Sequence, residues 1–224
     1  MLPGMFTPMP SLSPVRVNLV DSASDEVDSV TKTFAAMNLG TPHPDRVIVV
    51  TAYVRENDGA RHIASATIGG IAATIHTSKW WGSDDAYIQI LSAAVPTGTT
   101  GDVVITMGGP CNGFSIGVFE VIGADPVPYA IVDTGYGTST VATVDIDVKE
   151  GGAVIALCGM KTTTGWTWNA PAIEAYTETN TSSDSSGGYE EMITADEVGR
   201  TYEAVSLNAF GWQMHAVSFK PKGT

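Results

Sequence analysis

Apolar and polar residues alternate with a two-residue period along most of the chain, the spacing that sets one side of a β-strand on a core. Residues 15–20 (VRVNLV) alternate this way, and residues 45–56 (DRVIVVTAYVRE) form the strongest β-branched run, opened by Asp45 and closed by charge. Residues 62–78 read as two short strands turned at Gly69-Gly70. Residues 86–95 (AYIQILSAAV) read as a strand on their Tyr and Ile content. Residues 102–109 and 114–123 read as a hairpin joined by a long Gly-Gly-Pro-Cys-Asn-Gly loop. In residues 140–150, Val144, Ile146 and Val148 alternate with Asp145, Asp147 and Lys149, and Gly151-Gly152 then turns the chain into residues 153–160. Residues 164–171 (TGWTWNAP) form a short aromatic strand or loop, and residues 177–189 (TETNTSSDSSGGY) a polar surface loop. Residues 190–200 are the best helical candidate, with Thr194 or Asp196 as cap. Residues 201–210 and 211–220 close the chain as strands, the last returning to the core.

About ten strands separated by turn signals predict an all-β fold. The expectation is one antiparallel two-sheet β-sandwich, jelly-roll or immunoglobulin-like in strand order, covering residues 15–224 as a single domain. No helical crossovers recur, which excludes a βαβ architecture. No repeat at fixed spacing is visible. Ahead of the domain, residues 1–14 carry Pro3, Pro8, Pro10 and Pro14, which predict an extended arm. Met5, Phe6 and Met9 make that arm more apolar than a plain linker and suit it to anchoring on a neighbouring subunit.

Composition narrows the function. Among 224 residues, 24 are acidic and 11 basic, a formal charge of -13 that opposes a nucleic-acid groove or an anionic membrane surface. No apolar run approaches the roughly 18 residues of a spanning helix, so no membrane insertion is expected. The first residues have no basic n-region and do not read as a secretory signal. Two cysteines are too few for a disulfide scaffold or a thiolate metal cluster. Cys111 and Cys158 would pair only if their strands were neighbours, and Cys158 otherwise reads as a free buried thiol.

Several residues could carry chemistry. Gly113-Phe114-Ser115-Ile116-Gly117 matches the G-x-S-x-G of hydrolases, with Asp133 and His215 in triad order, but a strand pattern follows where the motif needs a helix. His43, His62, His76 and His215 are scattered; His62 and His76 could share a hairpin face, short of the three or four ligands zinc takes. Asp145 and Asp147 face one side of a strand, with Glu120 on another; solvent-face alternation accounts for them without glycoside hydrolysis or calcium binding. Trp80 and Trp81 are adjacent, and Trp166 and Trp168 point the same way if extended. These four rings suit either stacking on sugars or a core or subunit contact. No catalytic residue, cofactor or metal ligand is assigned.

The ordered segments SVTKTF (29–34), DRVIVVTAYV (45–54), SATIGGIAATI (65–75), VPTGTTGDVVITMGG (95–109), FSIGVFEVIGAD (114–125), TVDIDVKEGGAVIAL (143–157) and AVSFKP (216–221) resemble a group of poorly characterised structural proteins of tailed bacteriophages and prophages. The resemblance spans roughly residues 29–221 and rests on turn-and-strand signatures. It implies a non-enzymatic virion component: a capsid decoration or head-spike protein, or a tail or collar accessory. The implied partners are other virion proteins and further copies of the chain in a homo-oligomer, with host surface glycans if the protein is instead a carbohydrate-binding module for attachment. A serine or carboxylate hydrolase is the third expectation. The group supplies no catalytic residues.

Overall fold

The computed structural model describes residues 13–55, 62–78, 86–181 and 183–224. Met5, Phe6, Met9, Trp80 and Trp81 lie outside the described residues, so the anchor and the first tryptophan pair have no structural account. Every regular element among the described residues is a strand. In the first half of the chain these are β1 (Arg16–Asp25), β2 (Ser29–Asn38), β3 (Val47–Arg55), β4 (Ile63–Ile68), β5 (Ile71–Ala72), β6 (Thr74–Ile75), β7 (Ala86–Ala94), β8 (Thr100–Cys111) and β9 (Gly113–Ile122). In the second they are β10 (Ala130–Gly137), β11 (Val141–Val148), β12 (Ala153–Met160), β13 (Trp166–Trp168), β14 (Ile173–Asn180), β15 (Ser183–Glu190), β16 (Glu197–Ser206) and β17 (Trp212–Phe219).

They form four antiparallel sheets rather than the expected two. The first half makes an inner sheet, β1-β9-β3-β7-β6, and an outer sheet, β2-β8-β4-β5; the second makes an inner sheet, β10-β17-β12-β15-β14, and an outer sheet, β11-β16-β13. Three apolar layers hold the stack together. One lies inside the first half, around Ile48, Val50, Ile105 and Val118. One lies inside the second, around Val144, Cys158, Trp168 and Tyr202. Between them the two inner sheets meet face to face, Val49, Ile88 and Phe119 against Ile155, Leu157 and Phe219. The central inner strands therefore have two dry sides, and β12 and β17 are buried at every position. One dry side per strand, the expectation from alternation, holds in the outer sheets, as in β11, where Val144, Ile146 and Val148 are buried beneath Asp145 and Asp147.

The two halves share a strand order that the sequence conceals. With β5 and β6 as two pieces of a fifth strand, each inner sheet runs first-eighth-third-sixth-fifth, and each outer sheet runs second-seventh-fourth. Only the fifth strand differs: β5 extends the outer sheet of the first half, whereas β14 belongs wholly to an inner sheet.

Local turns match expectation where the pairing is local. Gly69 and Gly70, with φ of 57° and 79°, turn β4 into β5 with Ile68 opposite Ile71, the two-residue hairpin that left-handed glycines favour. Two other turns expected to be local change sheet. β8 pairs with β2 and β4, while β9, one residue later, pairs with β1 and β3, so residues 102–123 are not a hairpin. β11 pairs with β16, and β12 with β15 and β17. In both cases the apolar faces of successive strands oppose each other across a core, an arrangement local alternation cannot distinguish from side-by-side pairing. The helix expected over residues 190–200 is instead the end of β15, a turn and the start of β16. The strand β10 was not anticipated, although Tyr129 and Ile131 alternate at its start.

The largest departure is the polar run at 177–189. It is the β14–β15 hairpin, and Ser183 to Gly188 are buried in the middle of a sheet. The reason is close approach from both sides. A Cβ at Gly187 would lie 2.3 Å from Tyr176 Cε1, and one at Gly188 would lie 2.5 Å from Trp168 Cδ2. Small residues are required where two large rings press on one strand, and Ser Oγ atoms supply the hydrogen bonds such a strand needs. Tyr176 also abuts Gly117 across the seam between the halves, and its hydroxyl is hydrogen-bonded to Thr51 Oγ1 at 2.8 Å. Further seam bonds run from Val17 N–H to Glu191 Oε2 at 2.8 Å and from Gln213 Nε2 to the Ala86 carbonyl at 2.9 Å.

Candidate functional site

A cleft of about 600 Å³ opens at the end of the second half where β11 turns into β12 and β17 runs out. Its walls include Tyr129, Lys149, Glu150, Asp196, Lys220 and Pro221. The tight Lys149–Gly152 turn, with Gly151 at φ 72° and Gly152 N–H donating to the Lys149 carbonyl at 2.9 Å, presents Lys149 and Glu150 side by side. Asp196 then ties the turn down. It accepts from the Lys149 ammonium at 2.5 Å and from the Glu150 N–H at 2.9 Å. This hydrogen bond raises the Lys149 pKa and lowers that of Asp196. The Lys149 ammonium also stands 5.4 Å from the centroid of the half-open Tyr129 ring. Lys220 lies 3.8 Å from Asp125.

The named walls thus carry two ammonium groups and two carboxylates in a chain with a strong net negative charge. An aromatic ring, a proline and aliphatic lysine stems complete them.

The residues singled out by sequence do not gather at this cleft. Trp166 and Trp168 point the same way on β13, as expected, but that way is inward, and both rings are buried in the second core. Trp168 Nε1 donates to Ser186 Oγ at 2.9 Å. Neither ring forms the exposed sugar platform considered for it, because the outer sheet needs large side chains to reach the small residues of β15. Ser115 is fully buried within β9, near its start, with strand rather than an elbow following, and its hydroxyl is bonded to Ser185 Oγ at 2.5 Å. Asp145 accepts from Thr201 Oγ1 at 2.6 Å and Asp147 from the Gly199 N–H at 2.9 Å, both on the outer face of β11. Glu120 belongs to the other half, where it is buried and accepts from the Thr41 N–H at 2.7 Å.

His76 is hydrogen-bonded through Nε2 to Ser92 Oγ at 2.7 Å, and burial lowers its pKa. Among the described residues no group of three or more His, Cys, Asp or Glu could hold a metal ion. Cys111 and Cys158 are not bridged to each other and are buried in different cores, and burial pushes the Cys158 thiol well up. No helix among the described residues is long and apolar enough to cross a membrane. Tyr129 escaped the sequence reading; its signal was an aromatic residue beside Pro126 and Pro128, just ahead of an alternating stretch.

Comparison with protein-family models, with curated proteins and with solved structures finds no match to this chain.

Proposed function

We propose that the chain is a non-enzymatic structural subunit of a tailed-bacteriophage particle, a capsid decoration, head-spike or tail or collar accessory protein, built as two jelly rolls back to back. The observation that carries this reading is the strand order. An eight-strand unit with sheets ordered 1-8-3-6 and 2-7-4-5 is a jelly roll, and the first half follows it once β5 and β6 are counted as the fifth strand. The second half repeats it with the fifth strand moved to the inner sheet. Jelly rolls recur in viral shells and in lectins. Burial of Ser115 and the structural bonds of the acidic pairs favour a scaffold over a hydrolase.

The lectin reading would need exposed rings, and Trp166 and Trp168 do not supply them. The test is quantitative mass spectrometry of gradient-purified particles from a host expressing this chain with its neighbouring genes. The chain is expected at fixed copy number per particle. Its presence only in the unassembled pool would overturn the reading.

A further inference from the structure

The cleft and the start of the described chain lie at the same place. Val15 N–H donates to the Gly151 carbonyl at 2.7 Å, and Pro14 Cα lies 3.9 Å from where Gly151 would carry a Cβ. Gly151 is itself part of the cleft wall. Residues 1–12 therefore leave from the cleft's rim. They contain no charged residue, three prolines and the apolar Met1, Leu2, Met5, Phe6, Met9 and Leu12.

We propose that this cleft receives residues 1–12 of a second copy of the chain, and that two copies exchange arms reciprocally. Three observations support it. First, the fit is chemical. Prolines favour the extended left-handed helix, which docks in grooves lined by aromatic rings and apolar stems. Tyr129, Pro221 and the stems of Lys149 and Lys220 form such a groove, and the formal charges of its Lys, Glu and Asp side chains balance. An uncharged arm enters it without stranding a charge. Exposed Val127 and Ile131 extend the apolar surface from Tyr129 along β10, the outermost strand of its sheet.

Second, the fit is geometric. Twelve residues at ~3.1 Å each reach about 37 Å, enough to cross to a neighbour. Pro10 and Pro14 stiffen the segment that would have to reverse to fill its own cleft. Third, root and cleft share one end of the molecule. Two copies meeting at that end about a two-fold axis bring each root to the other's cleft, so one operation satisfies both and the contact closes.

The proposal concerns copies of this chain alone and stands or falls apart from the phage assignment. The test is sedimentation equilibrium of the purified full chain, its Phe6→Asp and Tyr129→Ser variants, and the full chain with excess synthetic peptide of residues 1–12. A dimer is expected for the parent, with dimerisation weakened at least tenfold by either substitution and by the peptide. Circular dichroism identical to the parent shows that each variant has folded. A parent that is monomeric at every concentration overturns the proposal. So does a dimer that survives Phe6→Asp, or one that Phe6→Asp dissolves while Tyr129→Ser and the peptide leave it intact.

Discussion

Tyr176 is the point where the seam between the halves is most sensitive. Its ring is clamped between β9 and β15: Cβ atoms at Gly117 and Gly187 would lie 2.1 Å and 2.3 Å from the same ring carbon. Its hydroxyl is held at 2.8 Å by Thr51 Oγ1. Tyr176→Phe removes only that buried bond and should cost about 1 kcal/mol. Tyr176→Ala empties the ring's site and should cost about 3–5 kcal/mol, the usual range for deleting a buried aromatic side chain. Gly117→Ala forces a methyl into a ring that cannot retreat, because Gly187 stands behind it. Overpacking of this kind costs about 1–3 kcal/mol, and displacement of the ring from Thr51 adds part of the hydrogen-bond term.

The decisive variant is Gly117→Ala with Tyr176→Ala. Once the ring is gone the methyl has room, so the Gly117 substitution should cost almost nothing in that background. The cycle should show a coupling of about 1–3 kcal/mol. Urea unfolding followed by tryptophan fluorescence and far-ultraviolet dichroism measures all four corners, read as shifts in midpoint at constant slope. Costs that add within about 0.5 kcal/mol would refute the clamp, and with it the account of why β15 is built of serine and glycine.

Other expectations follow from single groups. Arg46 is buried and donates to the carbonyls of Val95, Thr97 and Gly98 at 2.6, 2.8 and 2.7 Å, so Arg46→Met should destabilise by about 2–4 kcal/mol in the same urea assay. Cys111 and Cys158 are buried thiols, so a thiol reagent should label neither in the native chain and both in urea; fast native labelling would contradict the burial. Across the seam, Glu26 is lowered by its hydrogen bonds from Thr181, and Asp45 by its bond from Lys222. Depressed carboxylates stabilise fully above their ordinary values of 4.5 and 3.8 and lose that contribution as pH falls below them. Glu26→Gln with Asp45→Asn should therefore flatten the fall in melting temperature on acidification, and an unchanged slope would count against these contacts.

Much of the fold was written locally. The β-branched run at 47–54, the alternation at 141–148 and the Gly69-Gly70 turn each became what their own residues prescribe, because strand geometry and left-handed turns depend on a few neighbouring dihedrals. The absence of helix-period patterning likewise reflected an all-strand molecule among the described residues. The sites were less legible. The tryptophans at 166 and 168 share a face as their spacing requires, but no local signal states whether that face meets solvent or a second sheet.

The tertiary structure decided partnership and layering. Whether successive strands lie side by side or face each other across a core depends on where distant strands such as β1, β16 and β17 come to rest. That choice put β8 and β9, and β11 and β12, into different sheets. The serine-glycine strand is the clearest case. By composition it is a loop, since it carries almost no apolar surface of its own. It is buried because Tyr176 and Trp168, brought from either side, fill the space its small side chains leave. Alternation thus determined that the chain would be sheet, while only the meeting of the two halves determined which sheets have a second dry face.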